Sequence, residues 1–240
     1  MGMDTRVFPD LESLSLSVMD ETMRILREAV AERGRFSIAL SGGHTPRKMY
    51  ELWAAKPYRE ATPWDKVHLF WGDERYVPHD DPLSNFRMAR ESLISRVAIP
   101  PDNVHAMPTV SAAPDKSAEI YESELREFFG DRPPRMDVQL MGLGDEGHTA
   151  SLFPGSPALE EKQRWVLPVE VPATPPQRLT LTLAVLNQGR NTFFLVSGTE
   201  KRRIISALRD EPGGRPSQYP AARVRPPGPV IWFLDQAAAA

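Results

Sequence analysis

The 240-residue sequence contains no cysteine, which excludes a disulfide framework, thiol chemistry and a thiolate zinc site. A cytoplasmic location is the matching expectation. Nor is there an excess of positive charge: 29 Lys and Arg face 32 Asp and Glu, a formal net charge of −3. No nucleic-acid partner is therefore expected, and an anionic ligand must be held by a local cluster of cations and backbone N–H groups. Long apolar runs are missing too. The opening MGMDTRVFPD lacks a basic stretch followed by an apolar core, so neither a signal peptide nor a membrane span is expected. No period of 20 to 50 residues recurs, and the only low-complexity run is the AAAA at 237–240. The sequence has no H-E-x-x-H pair and no G-x-S-x-G elbow, which argues against a metal centre and a serine triad.

With 41% hydrophobic residues the chain can bury a sizeable core, and one domain over residues 1–240 is expected. Residues 11–34 carry Leu14, Val18, Ile25, Leu26 and Ala29 near helical spacing, with Gly34 as a C-terminal stop. A short apolar run follows at 35–40, then the tight SGGHTP loop at 41–46. The helix after it has Thr45 as N-cap and Pro46 at its first position. The order repeats: a strand at 67–71, a polar, Pro-rich loop at 72–83, and a helix at 84–95 capped by Ser84. A helix at 115–129 leads to a strand at 136–141 and the loop GLGDEGHTASLFPGSP. Strands are read at 165–171, 191–196 and 229–234, with a helix at 199–210. Residues 177–188 begin extended and turn helical, and 211–229 form a Pro/Gly-rich surface loop. The expected fold class is α/β, with a largely parallel sheet covered by helices on both faces. A ligand belongs beyond the C-terminal ends of its strands.

GLGDEG, residues 142–147, has the G-x-G-x-x-G spacing of a dinucleotide loop. A long helix must follow such a loop to face the pyrophosphate. Here only HTASLF precedes Pro154 and Pro157, which leaves room for barely two turns. Glu160 and Glu161 stand about 20 residues on, but within the polar run EEKQR and not at a strand end. The dinucleotide reading is rejected. His148 is instead the residue of interest, because it sits in a Gly-rich loop at a strand end, beside Asp145 and Glu146, and imidazole is the side-chain type suited to moving protons near neutral pH. These three neighbours do not converge on one ion, so no metal is expected there. SGGHTP sets Ser41, Gly42, Gly43 and Thr45 before a helix, where free N–H groups favour a phosphate. Asp73, Glu74 and Arg75 directly follow a strand, and arginine can fork to a phosphate or carboxylate. Lys201, Arg202 and Arg203 open a helix, a placement that a bound anion would relieve. His68 is read as a structural residue within a strand; His79 and His105 lie in Pro-rich loops without an evident partner, and His44 stands near the phosphate loop.

ALSGGHTP, WGDERYVP with DDPLSNFRMARE, GLGDEGHTASLFPGS, RLTLTLAVLN and VSGTEKR occur in an order and spacing that resembles the 6-phosphogluconolactonase family across almost the whole chain. The resemblance implies a fold similar to glucosamine-6-phosphate deaminases and hydrolysis of a sugar-phosphate lactone without cofactor, by a monomer or homodimer. It implies His148 as catalytic base. Arg75, as an oxyanion donor, and Asp73, orienting a sugar hydroxyl or the histidine, complete the expected catalytic set. Ser41, Gly42, Gly43, His44, Thr45, Arg75 and Lys201 are implied as substrate or phosphate contacts. Gly142, Gly144, Glu146 and Gly147 shape the loop. The chain departs from the family pattern at Glu146, usually aspartate, and at His44, usually serine or arginine.

Overall fold

The computed structural model describes residues 3–109, 113–211 and 217–240. Two sheets organise them. β1 (Asp4–Phe8), β2 (Phe36–Leu40), β3 (Val67–Trp71), β5 (Val138–Met141), β8 (Thr192–Val196) and β9 (Val230–Asp235) form a parallel sheet in the order β1-β9-β8-β5-β2-β3. β4 (Asp73–Arg75) and β6 (Val166–Glu170) flank β7 (Gln177–Leu181) in a small antiparallel sheet. Every residue of β2, β5 and β8 is buried. Such continuous burial requires cover on both faces, which is why these strands read as unbroken apolar runs.

The cover includes α1 (Leu11–Arg33), α2 (His44–Trp53), α4 (Asn85–Ser92), α5 (Pro114–Phe129) and α7 (Arg202–Arg209), with single turns α3 (Tyr58–Ala61), α6 (Leu183–Leu186) and α8 (Gln236–Ala239). Both ends of α1 follow from its sequence. Asp10 accepts a bond from Ser13 N at 2.7 Å, and Gly34 takes the left-handed φ of 73° that ends the helix. Its buried stripe includes Leu14, Val18, Ile25, Leu26 and Ala29, and it packs against α2. Ser84 caps α4 as expected, accepting from Arg87 N at 3.1 Å.

Three expectations require correction, and one strand is new. α2 starts at His44, with Gly43 as its N-cap and no side-chain cap bond. Thr45 therefore lies inside the first turn, because Gly43 at φ 104° lets the chain turn early. The 72–83 segment is not all loop: Asp73–Arg75 pairs with Arg178–Thr180, a partner strand about a hundred residues away. Tertiary pairing here overrides local polarity. β1 has no counterpart in the sequence reading, since it is a mostly exposed edge strand, DTRVF, without a continuous apolar run. His79 and His105 both have partners. His79 Nε2 bonds Met107 O at 2.8 Å, while His105 meets Glu124 at 2.7 Å and His68 at 3.1 Å. Of the expected loop at 211–229, residues 212–216 lie outside the described set, and Pro220–Arg223 forms a 3-10 turn.

The His68 ring lies against His105 and Phe128, and burial, then the charges of His105 and Arg35, push its pKa down to about 4. The unfolded chain therefore binds this proton first as pH falls. Stability held above about pH 6.5 is lost as pH drops toward 4, by about 1 to 2 kcal/mol after allowance for partial exposure. Urea titrations at pH 7 and pH 5 should show His68→Phe narrowing the difference between the two midpoints; an unchanged difference would contradict the assignment.

Candidate active site

Loops leaving β2, β3, β5 and β8 meet beyond the C-terminal ends of those strands. β2 is followed across the sheet by β3 on one side, whereas β5, on its other side, begins the run toward β8 and β9. All these strands run parallel, but the side on which successive strands are added reverses between β2 and β5, the place where open α/β sheets leave a crevice. A cavity of about 220 Å³ opens there. Its wall takes Ser41, Gly42, Asp73, Arg75, Gly142, Gly144, His148 and Lys201 from the residues singled out in the sequence, and adds Asn85, Leu143, Ala150 and Arg178. Gly43 and His44 are exposed at the start of α2, and with Thr45, Glu146 and Gly147 lie off this wall. Two larger clefts, of about 550 and 500 Å³, contain one arginine and no cation respectively. Cations and a histidine converge only in the smaller one of these three.

The wall is held from behind by buried side chains. Tyr50 of α2 donates its hydroxyl to Ser41 O at 2.8 Å and accepts from Ser41 N at 3.0 Å. Burial raises that phenol's pKa well above its ordinary value, so it stays a neutral clamp. Gly42 admits no side chain, because a Cβ would stand 1.8 Å from Asn85 Oδ1. Asn85 in turn donates to Asp73 O at 2.9 Å and accepts from the Arg75 guanidinium. Glu74 points the other way. Its carboxylate, 1% exposed, accepts from Arg75 N, Asn85 N and Phe86 N, each at 2.7 Å, and from Ser84 Oγ at 3.1 Å. Burial raises its pKa against the pull of those N–H groups. One carboxylate thus ties β4 to the first turn of α4, where the free N–H groups of a helix favour negative charge.

Arg75 and Arg178 occupy partner positions in the β4–β7 ladder. Arg75 also donates to Leu83 O at 3.1 Å and Arg178 to Pro175 O at 2.8 Å. Both are positioned by carbonyl or amide oxygens, and among the described residues neither has a carboxylate ion-pair partner. Burial, then the charge of Arg75, lowers the pKa of Arg178. The charges of Asp73 and Glu74 act the other way on Arg178 without an ion-pair contact, which leaves two neighbouring guanidiniums free to take an anion. Lys201, in the 3-10 turn Thr199–Lys201, adds a third cation but is paired with Asp145 at 2.6 Å. Asp73 accepts from Ser151 Oγ at 2.6 Å.

His148 Nδ1 lies 3.0 Å from Glu146 Oε2. A carboxylate can only accept, so Nδ1 carries the hydrogen, and Nε2 is the ring nitrogen with the lone pair in the neutral tautomer this bond selects. Glutamate, in place of the aspartate usual in the resembled family, reaches the ring. Two loop N–H groups are already committed, Gly144 N to His148 O at 2.9 Å and Gly147 N to Gly144 O at 3.0 Å. Thr149 Oγ1 braces the same loop through Gly142 O at 2.8 Å. Among the described residues no group of three His, Cys, Asp or Glu side chains is placed to hold a metal ion, and no helix is long and apolar enough to cross a membrane.

Of the four wall residues absent from the sequence reading, Asn85, Leu143, Ala150 and Arg178, only Arg178 carries a charge. Its only signal was an arginine in the otherwise apolar-alternating QRLTLTL strand. Known proteins are similar to this chain in sequence and in fold. The model described as glucosamine-6-phosphate isomerases/6-phosphogluconolactonase matches residues 9–232. A 6-phosphogluconolactonase of Synechocystis sp. is 47% identical over 220 residues, covering 90% of this chain and 88% of its own. The crystal structure of a 6-phosphogluconolactonase from Thermotoga maritima superposes with a TM-score of 0.84 at 30% identity, over 98% of this chain and 100% of that one. A monomeric glucosamine-6-phosphate deaminase, 20% identical over 99% of each chain with a TM-score of 0.80, shares the fold. The chain belongs to the glucosamine-6-phosphate isomerase/6-phosphogluconolactonase family.

Proposed function

We propose that this chain hydrolyses 6-phospho-D-glucono-1,5-lactone to 6-phosphogluconate, the second step of the oxidative pentose phosphate pathway. The observation that carries the reading is the convergence of a carboxylate-bound histidine with Arg75, Arg178 and Lys201 on one cavity. The names of the Synechocystis and Thermotoga relatives support the same reaction class. Arg178 and Lys201, with the Ser41–Gly42 loop, seat the phosphate; Lys201 leaves Asp145 to do so. His148 Nε2 takes a proton from water as that water attacks the lactone carbonyl carbon. The carbonyl oxygen becomes an oxyanion. Arg75 is its donor in this reading, since the N–H groups of Gly144 and Gly147 are engaged elsewhere. The tetrahedral intermediate then collapses, the ring C–O bond breaks, and protonated His148 returns its proton to the departing ring oxygen. Water is the only co-reactant. Asp73, fixed by Ser151, accepts from a sugar hydroxyl.

The deciding experiment follows loss of the lactone above its spontaneous hydrolysis, with ammonia release from glucosamine 6-phosphate measured in parallel. Lactone loss proportional to enzyme is expected. Ammonia release without lactone loss would overturn the proposal in favour of an aldose–ketose deaminase.

A further inference from the structure

The imidazole of His148 is restrained on its faces as well as at its edge. The Phe153 ring lies almost parallel to it, with centroids 4.0 Å apart and planes 15° from each other. Phe153 is 7% exposed, so the stacking partner is itself held. Gly144 provides a second cover. A Cβ built there would lie 2.0 Å from His148 Nδ1, 2.2 Å from Cε1 and 2.7 Å from Cγ. Such short distances to three ring atoms put that position over the ring face and not at its rim. No Phe153 atom is as close to it, so the two covers lie on opposite faces. The imidazole fills a slot one aromatic ring thick, between the Gly144 backbone and Phe153, while Glu146 holds Nδ1 within the plane.

The chain is built to return Phe153 to this place. Leu152 N bonds back to Thr149 O at 3.0 Å, folding 149–152 into a tight turn in which Ala150 takes a φ of 48°. Such a value is uncommon for a residue with a Cβ and is retained where surroundings impose it. Pro154 then confines the backbone of Phe153 to extended conformations. An aliphatic residue at 153 would fill much of the same volume. Only a flat ring presents a parallel face to the imidazole.

We propose that Phe153 is a positioning residue, which clamps His148 against the Gly144 backbone and keeps Nε2 aimed at the lactone carbonyl. This role rests on His148 being the proton carrier proposed above. The histidine side chain keeps 27% of its surface accessible, so without the clamp its ring has solvent to swing into. Misplacement of a reacting group by about 1 Å can cost on the order of a hundredfold in rate.

The test compares Phe153→Leu, Phe153→Tyr and Gly144→Ala by steady-state kinetics on the lactone and by NMR of the His148 ring protons. Phe153→Leu is expected to lower kcat about 10-fold with KM within about twofold, and Phe153→Tyr to restore kcat to within about threefold of the parent. In the unsubstituted protein the stacked ring moves the imidazole proton resonances upfield. They should return to ordinary positions in Phe153→Leu and not in Phe153→Tyr. Gly144→Ala reaches the same end from the opposite face: the three atoms its methyl meets first all belong to the His148 ring, so the ring is displaced, its signal shifts and kcat falls. Parent-level kcat with unmoved ring signals in Phe153→Leu would overturn the clamp and leave lactone hydrolysis standing. If the unsubstituted protein does not consume the lactone, the functional reading falls, and upfield ring protons alone still decide whether the slot exists.

Discussion

His148→Ala lowers the turnover number for 6-phosphogluconolactone by about a thousandfold, within the range that general acid–base catalysis supplies, while 6-phosphogluconate still binds. The expectation divides binding from chemistry because the site does. Arg75, Arg178 and Lys201 draw their hydrogen bonds from Leu83, Asn85, Pro175 and Asp145, and none from His148. Removing the imidazole takes away the group that accepts and returns the proton, without releasing Arg75 or the two cations, Arg178 and Lys201, that seat the phosphate in the proposed reading. Glu146→Gln should have a smaller effect, about 10-fold, because an amide still reaches Nδ1 but does not stabilise the imidazolium formed when water is deprotonated. Single-turnover kinetics and product titration by calorimetry separate the two quantities. Near-parental turnover in His148→Ala would remove this residue from the mechanism.

Glu74→Ala should be the most destabilising single change near the site, by about 4 kcal/mol. Its carboxylate satisfies three backbone N–H groups and one hydroxyl at a position 1% exposed. Each buried donor left without an acceptor costs about 1 to 3 kcal/mol, offset in part where a water enters the space. For a chain of this size the melting temperature should fall by about 10 °C. Lactone turnover should also decline, because Asn85 and Arg75 take their places from the same carboxylate. A melting temperature within 2 °C of the parent, roughly half a kilocalorie, would show that the N-terminus of α4 finds other acceptors.

The parts of the site that were legible in the sequence share a physical property. Ser41, Asp73, His148 and Lys201 each stand in or beside a polar, turn-forming stretch just after a short apolar run, so strand end and loop chemistry are written next to each other. Arg178 is different. It lies inside a strand and faces the cavity because β7 pairs with β4, a contact between residues about a hundred positions apart that local pattern cannot express. Phe153 was hidden for another reason. An aromatic residue in an apolar turn reads as ordinary core, and only the return of 149–152 on itself brings it over the imidazole. The same limit applies to the sheets. The apolar runs of β2, β5 and β8 reported burial directly, whereas β1 and β4 are strands by virtue of their partners.

The order of the main sheet also bears on how a ribosome-bound chain matures. β1 is made before the other described strands, yet among the described residues its only neighbour in the sheet is β9, the last of them, which lies between it and β8. While the middle of the protein is being synthesised, Asp4–Phe8 has no ladder to join. The sheet is completed only after residues 230–235 have left the exit tunnel, and pairings of such large sequence separation close slowly. A nascent chain arrested before β9 should therefore leave β1 accessible to protease and gain its protection abruptly when translation is allowed to finish.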